Sequence, residues 1–435
     1  MSLSVALRRY PQVMVVVCFW VAVMMWSFHD CDTIQDCPTT VCPTCSTCDR
    51  DKEPSQVLPP SRDFLAAGFE KTAKWTLMVE AARETHLLRR RMMLPNTAQM
   101  KKVKRSDDNP VVVVGNVDPW LLGRGSVSEE VCGVACEYDF VESIESAIEK
   151  LEAREIVHLT TLPWLFTWDW DKLIDMVTYA ESRGLQTMFS TGEISFDPRP
   201  MFIADLFQSP YPASDAIFYY DNTMIHCKED PDGPTRLSSM DLPTPDPTDK
   251  VNAAVVVVSN CGESATWRSA YIVELMRHMK VYSLGGCWHT ADAPIKPDSG
   301  GFYKDKQIAA EQYRFFISME NSLVTNYFTE KFLEALDYDT VVVYGGPPDA
   351  KAHFPSPNSF VDILDFPDPA DLAAFLNAMT DDEWRSRFEW RKKASVQPKL
   401  AELARKRGCL SRPKWTACAM CRAYHDVFDY EPTVG

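Results

Sequence analysis

The sequence predicts an α/β protein with two Rossmann-like domains facing a cleft, preceded by a single transmembrane helix and a stem. Three observations predict it. Apolar strand-like runs alternate with helix-period segments in two blocks, a Pro-rich stretch divides those blocks, and one apolar run of near-membrane length stands close to the N-terminus. At 435 residues the chain is long enough for more than one domain. Its net charge of −16 excludes the broad basic surface that nucleic acid requires, so no nucleic-acid partner is expected. An acidic chain that binds an anion must do so with a few local cations and backbone N–H groups.

The elements follow in order. Arg8 and Arg9 precede the apolar run Val13 to Phe28, and His29, Asp30, Asp32 and Asp36 follow it. At about 1.5 Å per residue the run reaches roughly 24 Å, short for a plasma membrane and suited to the thinner membranes of the early secretory pathway. The charge asymmetry puts the N-terminus in the cytosol. Bulky Met24, Met25, Trp26 and Phe28 offer no small-residue cleavage site, which favours a retained signal-anchor over a signal peptide. Everything after about residue 30 is then lumenal, where disulfides form.

All but Cys18 of the 14 cysteines lie beyond that anchor. Cys31, Cys37, Cys42, Cys45 and Cys48 sit among Pro, Thr and Ser and read as a stem that permits a disulfide-linked homodimer. Cys409, Cys418, Cys421 and His425 have zinc-like spacing, but an oxidising compartment favours disulfides over zinc. Asp63 to Met93 carries helix-period apolar residues and reads as a stem or partner helix. The basic stretch Met100 to Arg105 follows it, as a solvated linker or a processing site. No Asn-x-Ser/Thr acceptor is present.

The first block runs from Val111–Val114 through helix 143–153, strand 155–159, a helix near 171–183 and strand 185–190. Prolines 231, 234, 243, 245 and 247 mark the connection. The second block runs from Ala253 to Asn260 through helix 268–280, strand 281–286, strand 313–320, helix 329–336 and strand 340–346. Wholly apolar strands alternating with helices imply parallel sheets covered on both faces. The boundaries that follow are a cytoplasmic tail (1–12), an anchor (13–28), a stem (29–107), a first domain (108–249), a second domain (250–400) and a Cys-containing tail (401–435).

Ligands of open α/β sheets bind at the carboxyl ends of strands, and the polar cluster from Glu320 to Thr329 lies between a strand end and a helix start. Thr329 reads as an N-cap that puts Lys331 in the first turn, where a cation opposes the helix dipole unless an anion is held there. Taken alone, Glu330 and Lys331 would be an ordinary solvated pair. The longer stretch YRFFISMENSLVTNYFTEK, Tyr313 to Lys331, closely resembles the signature of the family 10 fucosyltransferases, the α1,3/4-fucosyltransferase family. Supporting segments occur in the family's order: VVVVSNCGESATWRSAYIVEL, VYSLGGC, VVVYGGP and FEWRKK. The resemblance is strong from about residue 251 to 393.

The resemblance implies a GT-B fold and inverting transfer of L-fucose from GDP-β-L-fucose to a GlcNAc hydroxyl, O3 foremost, of a glycoprotein glycan in the Golgi. The first domain would take the acceptor and the second the donor. Lys331 and Arg268 would meet the pyrophosphate, Asn321 and Tyr327 would bond the donor near its phosphates, and Glu330 would hold the ribose; Asn260 is a further donor-site candidate. Inversion needs a carboxylate base opposite the donor. The segment LQTMFSTGEISFDPRP offers Glu193, with Asp197 as substitute, although Ile194 stands where the family has Ser-Pro. The triplets Asp169-Trp-Asp171 and Asp337-Tyr-Asp339 have metal-like spacing but read better as helix-end residues. With two cations available for the diphosphate, no metal or other cofactor is expected. Two rival readings remain: a GT-B transferase for another GDP-sugar, and a non-catalytic lumenal glycan-binding protein.

Overall fold

The computed structural model describes residues 64–93, 100–117, 122–162, 170–191, 203–209, 214–217, 238–261, 266–292, 302–393, 397–400 and 412–432. The anchor run, the stem cysteines, Cys409, Asp169, Glu193 and Asp197 lie outside them. Among the described residues no helix is long and apolar enough to cross a membrane. The chain divides at Ser61, and Arg62–Gly435 forms one compact unit.

That unit opens with helix α1 (Ala66–Met93) and the short strand β1 (Met100–Lys102). The first sheet then contains β2 (Val111–Asn116), β3 (Gly123–Val127), β4 (Cys136–Val141), β5 (Leu159–Leu162), β6 (Gln186–Ser190), β7 (Leu206–Ser209) and β8 (Ala216–Ile217). Helices α2 (Glu129–Cys132), α3 (Ile144–Glu152) and α4 (Trp170–Ser182) connect them. The spatial order is β3-β4-β2-β5-β6-β7-β8, parallel throughout except for β3, which is antiparallel to β4. Strand β2 is buried along its length, as a run of β-branched valines in a central parallel strand should be. Ser143 caps α3 by accepting from the Ser146 N–H, and α3 buries Ile144, Ala147 and Leu151.

The second sheet contains β9 (Val251–Val256), β10 (Val281–Ser283), β11 (Tyr313–Met319), β12 (Val341–Gly345) and β13 (Phe360–Asp362), all parallel, in the order β10-β9-β11-β12-β13. Helices α5 (Thr266–His278), α6 (Phe302–Ala310), α7 (Glu330–Ala335), α8 (Pro369–Ala378) and α9 (Asp381–Ser386) accompany it. The Pro-rich connection is described only from residue 238, where it makes 3-10 turns at Ser238–Asp241 and Pro247–Asp249.

Two segments read as peripheral in the sequence are built into this unit. Trp75, Val79 and Ala82 of α1 are buried in one core cluster with Val112, Val114, Phe189, Val324 and Tyr327. Near the start of α1, Gly68 lies against Leu323 and Trp267, so the helix touches both sheet-bearing halves. Its apolar residues therefore serve a core, and the compact fold begins well before residue 108. At the other end, α10 (Arg412–Phe428) returns to the first half, where Ala417, Cys418, Met420 and Cys421 are buried with Val111, Val113 and Tyr138. Disulfides Cys132–Cys418 and Cys136–Cys421 fasten it there. Strand β14 (Tyr430–Pro432) pairs antiparallel with β1. Arg105, read as part of a solvated basic run, is buried and donates to both carboxylate oxygens of Asp429 at 2.6 and 2.7 Å.

Candidate functional site

In the second sheet β9 comes first in sequence, with β10 on one side and β11 on the other, so the strand order reverses at β9/β11. The ends of adjacent strands there lead in opposite directions and leave a crevice. Arg268, from the first turn of α5, lies across those ends and is 1% exposed. One terminal nitrogen donates to the Met319 carbonyl at the end of β11 (2.9 Å), the other to the Asn260 carbonyl beyond β9 (2.8 Å). The neighbouring Trp267 donates its indole N–H to the Asn321 carbonyl at 3.1 Å. The loop after β9 is joined to the loop after β10 by Cys261–Cys287 and by the Gly286 N–H, which donates to Ser259 Oγ at 3.1 Å. Gly285 is required here: a Cβ would overlap the Val258 backbone.

The cluster after β11 is a linked network. Glu320 is 0% exposed. Its Oε1 accepts from the Thr329 N–H and the Tyr344 hydroxyl, both at 3.0 Å, and its Oε2 accepts from Thr329 Oγ1 at 2.6 Å. Thr329 Oγ1 in turn accepts from the Lys331 N–H at 3.3 Å, which is the expected cap of α7, and from Lys331 Nζ at 3.1 Å. Lys331 Nζ also donates to Glu330 Oε1 at 2.7 Å and stands 3.8 Å from Glu320 Oε2. The Ser318 hydroxyl holds the Lys331 carbonyl at 2.8 Å. Burial pushes the Glu320 carboxyl above its ordinary range, against the pull of the Lys331 charge. Burial pushes Glu330 up as well, but the charge and hydrogen bond of Lys331, helped by Lys306, outweigh it and bring Glu330 down to about 2.

Residues 247–432 match the family model described as "Glycosyltransferase family 10 (fucosyltransferase) C-term". This C-terminal region is similar to glycosyltransferase family 10. The family 10 region takes in the whole second sheet and α10, while the strands of the first sheet lie outside it. The chain is also similar to GDP-fucose protein O-fucosyltransferase 3 of Gallus gallus, 32% identical over 162 residues that make up 35% of this chain and 33% of that protein. Against the Homo sapiens protein of the same name identity is 31% over 150 residues, 33% of this chain and 30% of the other. The chain thus spans about a third of the length of the curated relatives it matches. Among solved structures, an α1,3-fucosyltransferase crystal structure covers 76% of this chain and 94% of its own, at 16% identity and TM-score 0.47. An α1,3-fucosyltransferase with GDP-fucose covers 74% and 93%, at 17% identity and TM-score 0.44.

Within the family 10 region the predicted donor residues fall into distinct settings. Arg268, Asn260 and Asn321 meet at the β9/β11 crevice, and Lys331 and Glu330 stand together at the start of α7. Lys331 keeps 23% of its side chain exposed, whereas Arg268 is enclosed by carbonyls. Tyr327 is 0% exposed and belongs to the core cluster of α1 and the first sheet. Asp339, of the second acidic triplet, pairs with the buried Arg391 at 2.7 Å. Among the described residues no cluster of His, Cys, Asp and Glu has the arrangement of a metal site. Cys418 and Cys421 are disulfide-bonded, each to a cysteine about 285 residues earlier. Sequence reasoning gave Glu320 no role; the available signal was a carboxylate directly after a wholly apolar strand, where burial demands partners.

Proposed function

We propose that the chain is an inverting fucosyltransferase that moves L-fucose from GDP-β-L-fucose to a hydroxyl acceptor. The observation that carries this reading is the pairing of a partly exposed Lys331 with a buried Arg268 beside the strand-order reversal of the family 10 region. As the C1–O bond of the donor breaks, negative charge grows on GDP, and fixed cations beside it lower the barrier. Lys331 would contact the diphosphate directly. Arg268, whose terminal nitrogens are engaged by the Met319 and Asn260 carbonyls, would add its charge from behind the strand ends. Asn321 would bond the donor near its phosphates, Asn260 would line the same crevice, and the Glu330 carboxylate, ionised at neutral pH, would accept from the ribose hydroxyls. Tyr327, buried in the core cluster of α1 and the first sheet, has no exposed surface to offer the donor. Glu193, or Asp197 in its place, would take the acceptor's proton.

For the acceptor, the resemblance to the α1,3/4-fucosyltransferase family suggests O3 of a GlcNAc residue on a glycoprotein glycan, in an α1,3 linkage. The names of the curated relatives favour a second reading, a polypeptide hydroxyl. The anchor-like run and the cysteine usage support a single-pass type II protein of the Golgi membrane with its catalytic region lumenal.

The test is transfer from GDP-fucose by the full chain to GlcNAc-terminated glycans and to unglycosylated polypeptides, with Lys331→Ala and Glu193→Gln alongside. The proposal expects transfer to one class and its loss in both variants. GDP binding without transfer, or displacement of GDP-fucose by another GDP-sugar, would favour the glycan-binding or other-donor readings. Full turnover in Glu193→Gln would remove Glu193 from the role of base.

A further inference from the structure

We propose that Glu320 is a positioning residue that aims the Lys331 ammonium at the donor diphosphate, acting through the Thr329 hydroxyl. This rests on the donor reading above. A carboxylate with no exposed surface, bonded to the hydroxyl of the buried Tyr344, is expensive to bury unless it is fully bonded. An apolar side chain of similar volume would fill the space more cheaply. What the carboxylate supplies that an apolar group does not is direction.

A hydroxyl has one proton to give, and Thr329 gives its proton to Glu320 Oε2 at 2.6 Å. The lone pairs of the same oxygen are thereby turned toward Lys331, whose N–H and Nζ both donate to it. The sense of the whole relay is fixed by the carboxylate: Tyr344 and Thr329 donate to Glu320, and Lys331 donates to Thr329. Glu330 holds Lys331 from the other side at 2.7 Å. The ammonium is thus held between two oxygens with its chain direction set by a group it does not reach closely; Glu320 Oε2 is 3.8 Å away.

Glutamine at position 320 reverses this sense without changing shape. Its carbonyl would take the Oε1 position, where two donors converge, and its NH2 would face Thr329 Oγ1. Thr329 would then accept from residue 320 and turn its own proton toward Lys331. The structure would keep its packing and lose its aim.

The experiment measures GDP affinity of the full chain by calorimetry, together with KM and kcat for GDP-fucose and Tm, in a double-mutant cycle of Glu320→Gln and Lys331→Ala. Expected are a weakening of GDP binding by about tenfold in Glu320→Gln, as for loss of one charge-assisted hydrogen bond, and no further weakening when the substitution is added to Lys331→Ala. A purely structural role would add its cost in either background. An additive cycle, or Glu320→Gln binding GDP within about twofold of wild type, overturns the inference and leaves the donor reading standing. If the wild type binds no GDP, the donor reading falls and takes the inference with it. Should Glu320→Gln not fold, Thr329 carries the test: Thr329→Ser keeps GDP affinity and Thr329→Val loses it, again only when Lys331 is present. Equal affinities for Ser and Val would overturn the relay.

Discussion

The two sheets reverse their strand order in the same way but finish the crevice with opposite chemistry. In the first, β2 lies between β4 and β5, and among the described residues neutral groups bond across the strand ends. The Asn116 amide donates to the Val141 and Glu142 carbonyls, and the Thr161 hydroxyl donates to the Asn116 carbonyl at 2.9 Å. In the second, β9 lies between β10 and β11, and the ends carry Arg268, Glu320, Glu330 and Lys331. Topology makes a crevice in both; the side chains at the strand ends decide whether it suits an anion. The covalent reinforcement is also divided. Two disulfides hold α10 on the first half, while in the second half Cys261–Cys287 joins two loops beside the crevice.

The largest effect should come from breaking that first-half clasp. Cys132–Cys418 closes 286 residues and Cys136–Cys421 closes 285, so each alone restricts nearly the same loop. Chain entropy assigns such a closure about 5 kcal/mol. Once one bridge exists the other closes only a ring of a few residues. Removing either cysteine of α10 singly is therefore expected to cost far less than the double Cys418→Ser, Cys421→Ser variant, which should lose about 5 kcal/mol in denaturant unfolding of the full chain. Two equal and additive single losses would sink the idea. GDP affinity should survive the double change if the folded population is compared.

A matched pair of glycines separates the crevices more sharply. A Cβ on Gly115 would overlap Thr161, including its backbone, and one on Gly285 would overlap the Val258 backbone. Each Gly→Ala change should cost about 2–3 kcal/mol by overpacking, since backbone cannot step aside as a side-chain tip can. Only Gly285→Ala should weaken GDP binding, because Val258 leads directly into Ser259 and Asn260, which Gly286 and Arg268 hold. Equal loss of GDP affinity in both variants would refute the division of roles.

How much of this was legible follows the same division. Wholly apolar strands such as Val341–Gly345 and Val111–Val114 announce themselves, because a central parallel strand leaves no polar face. The cluster from Glu320 to Lys331 was legible as a polar junction for a similar reason: polar residues interrupt that pattern where the sheet ends. Strand β4, with Glu137 and Asp139 in it, was not legible, and the structure supplies the reason. Arg154 reaches across to both carboxylates, at 2.7 and 3.1 Å, so a strand near the sheet edge tolerates charges that local sequence would assign to a loop. Helix α1 was visible as a helix but not as core, since Trp75, Val79 and Ala82 share their cluster with residues from Val112 onward, far along the chain. The relay through Glu320 depends on which oxygen faces which hydroxyl, and no periodicity carries that.

The smallest expected effect concerns acid, and it contrasts one titratable group in each half. In the second half Glu330, held at about 2 by Lys331 despite burial, stays ionised through ordinary pH. In the first half His158 is kept neutral. Burial first, then the Arg105 charge, pushes its pKa down to about 4, with Asp429 pulling the other way. Its Nδ1 accepts the Val112 N–H at 3.0 Å, a bond that protonation would break, and its ring lies against Tyr424. The folded value lies below the unfolded one of about 6.5. On lowering the pH from about 6.5, the unfolded chain therefore takes up a proton that the folded chain refuses. Stability contributed by neutral His158 is whole above about 6.5 and is lost as pH falls toward 4, by roughly 1–2 kcal/mol once partial exposure is allowed for. His158→Gln should flatten the fall of Tm between those values without altering GDP affinity at neutral pH. An unchanged acid slope would remove His158 from the role of first acid-labile group.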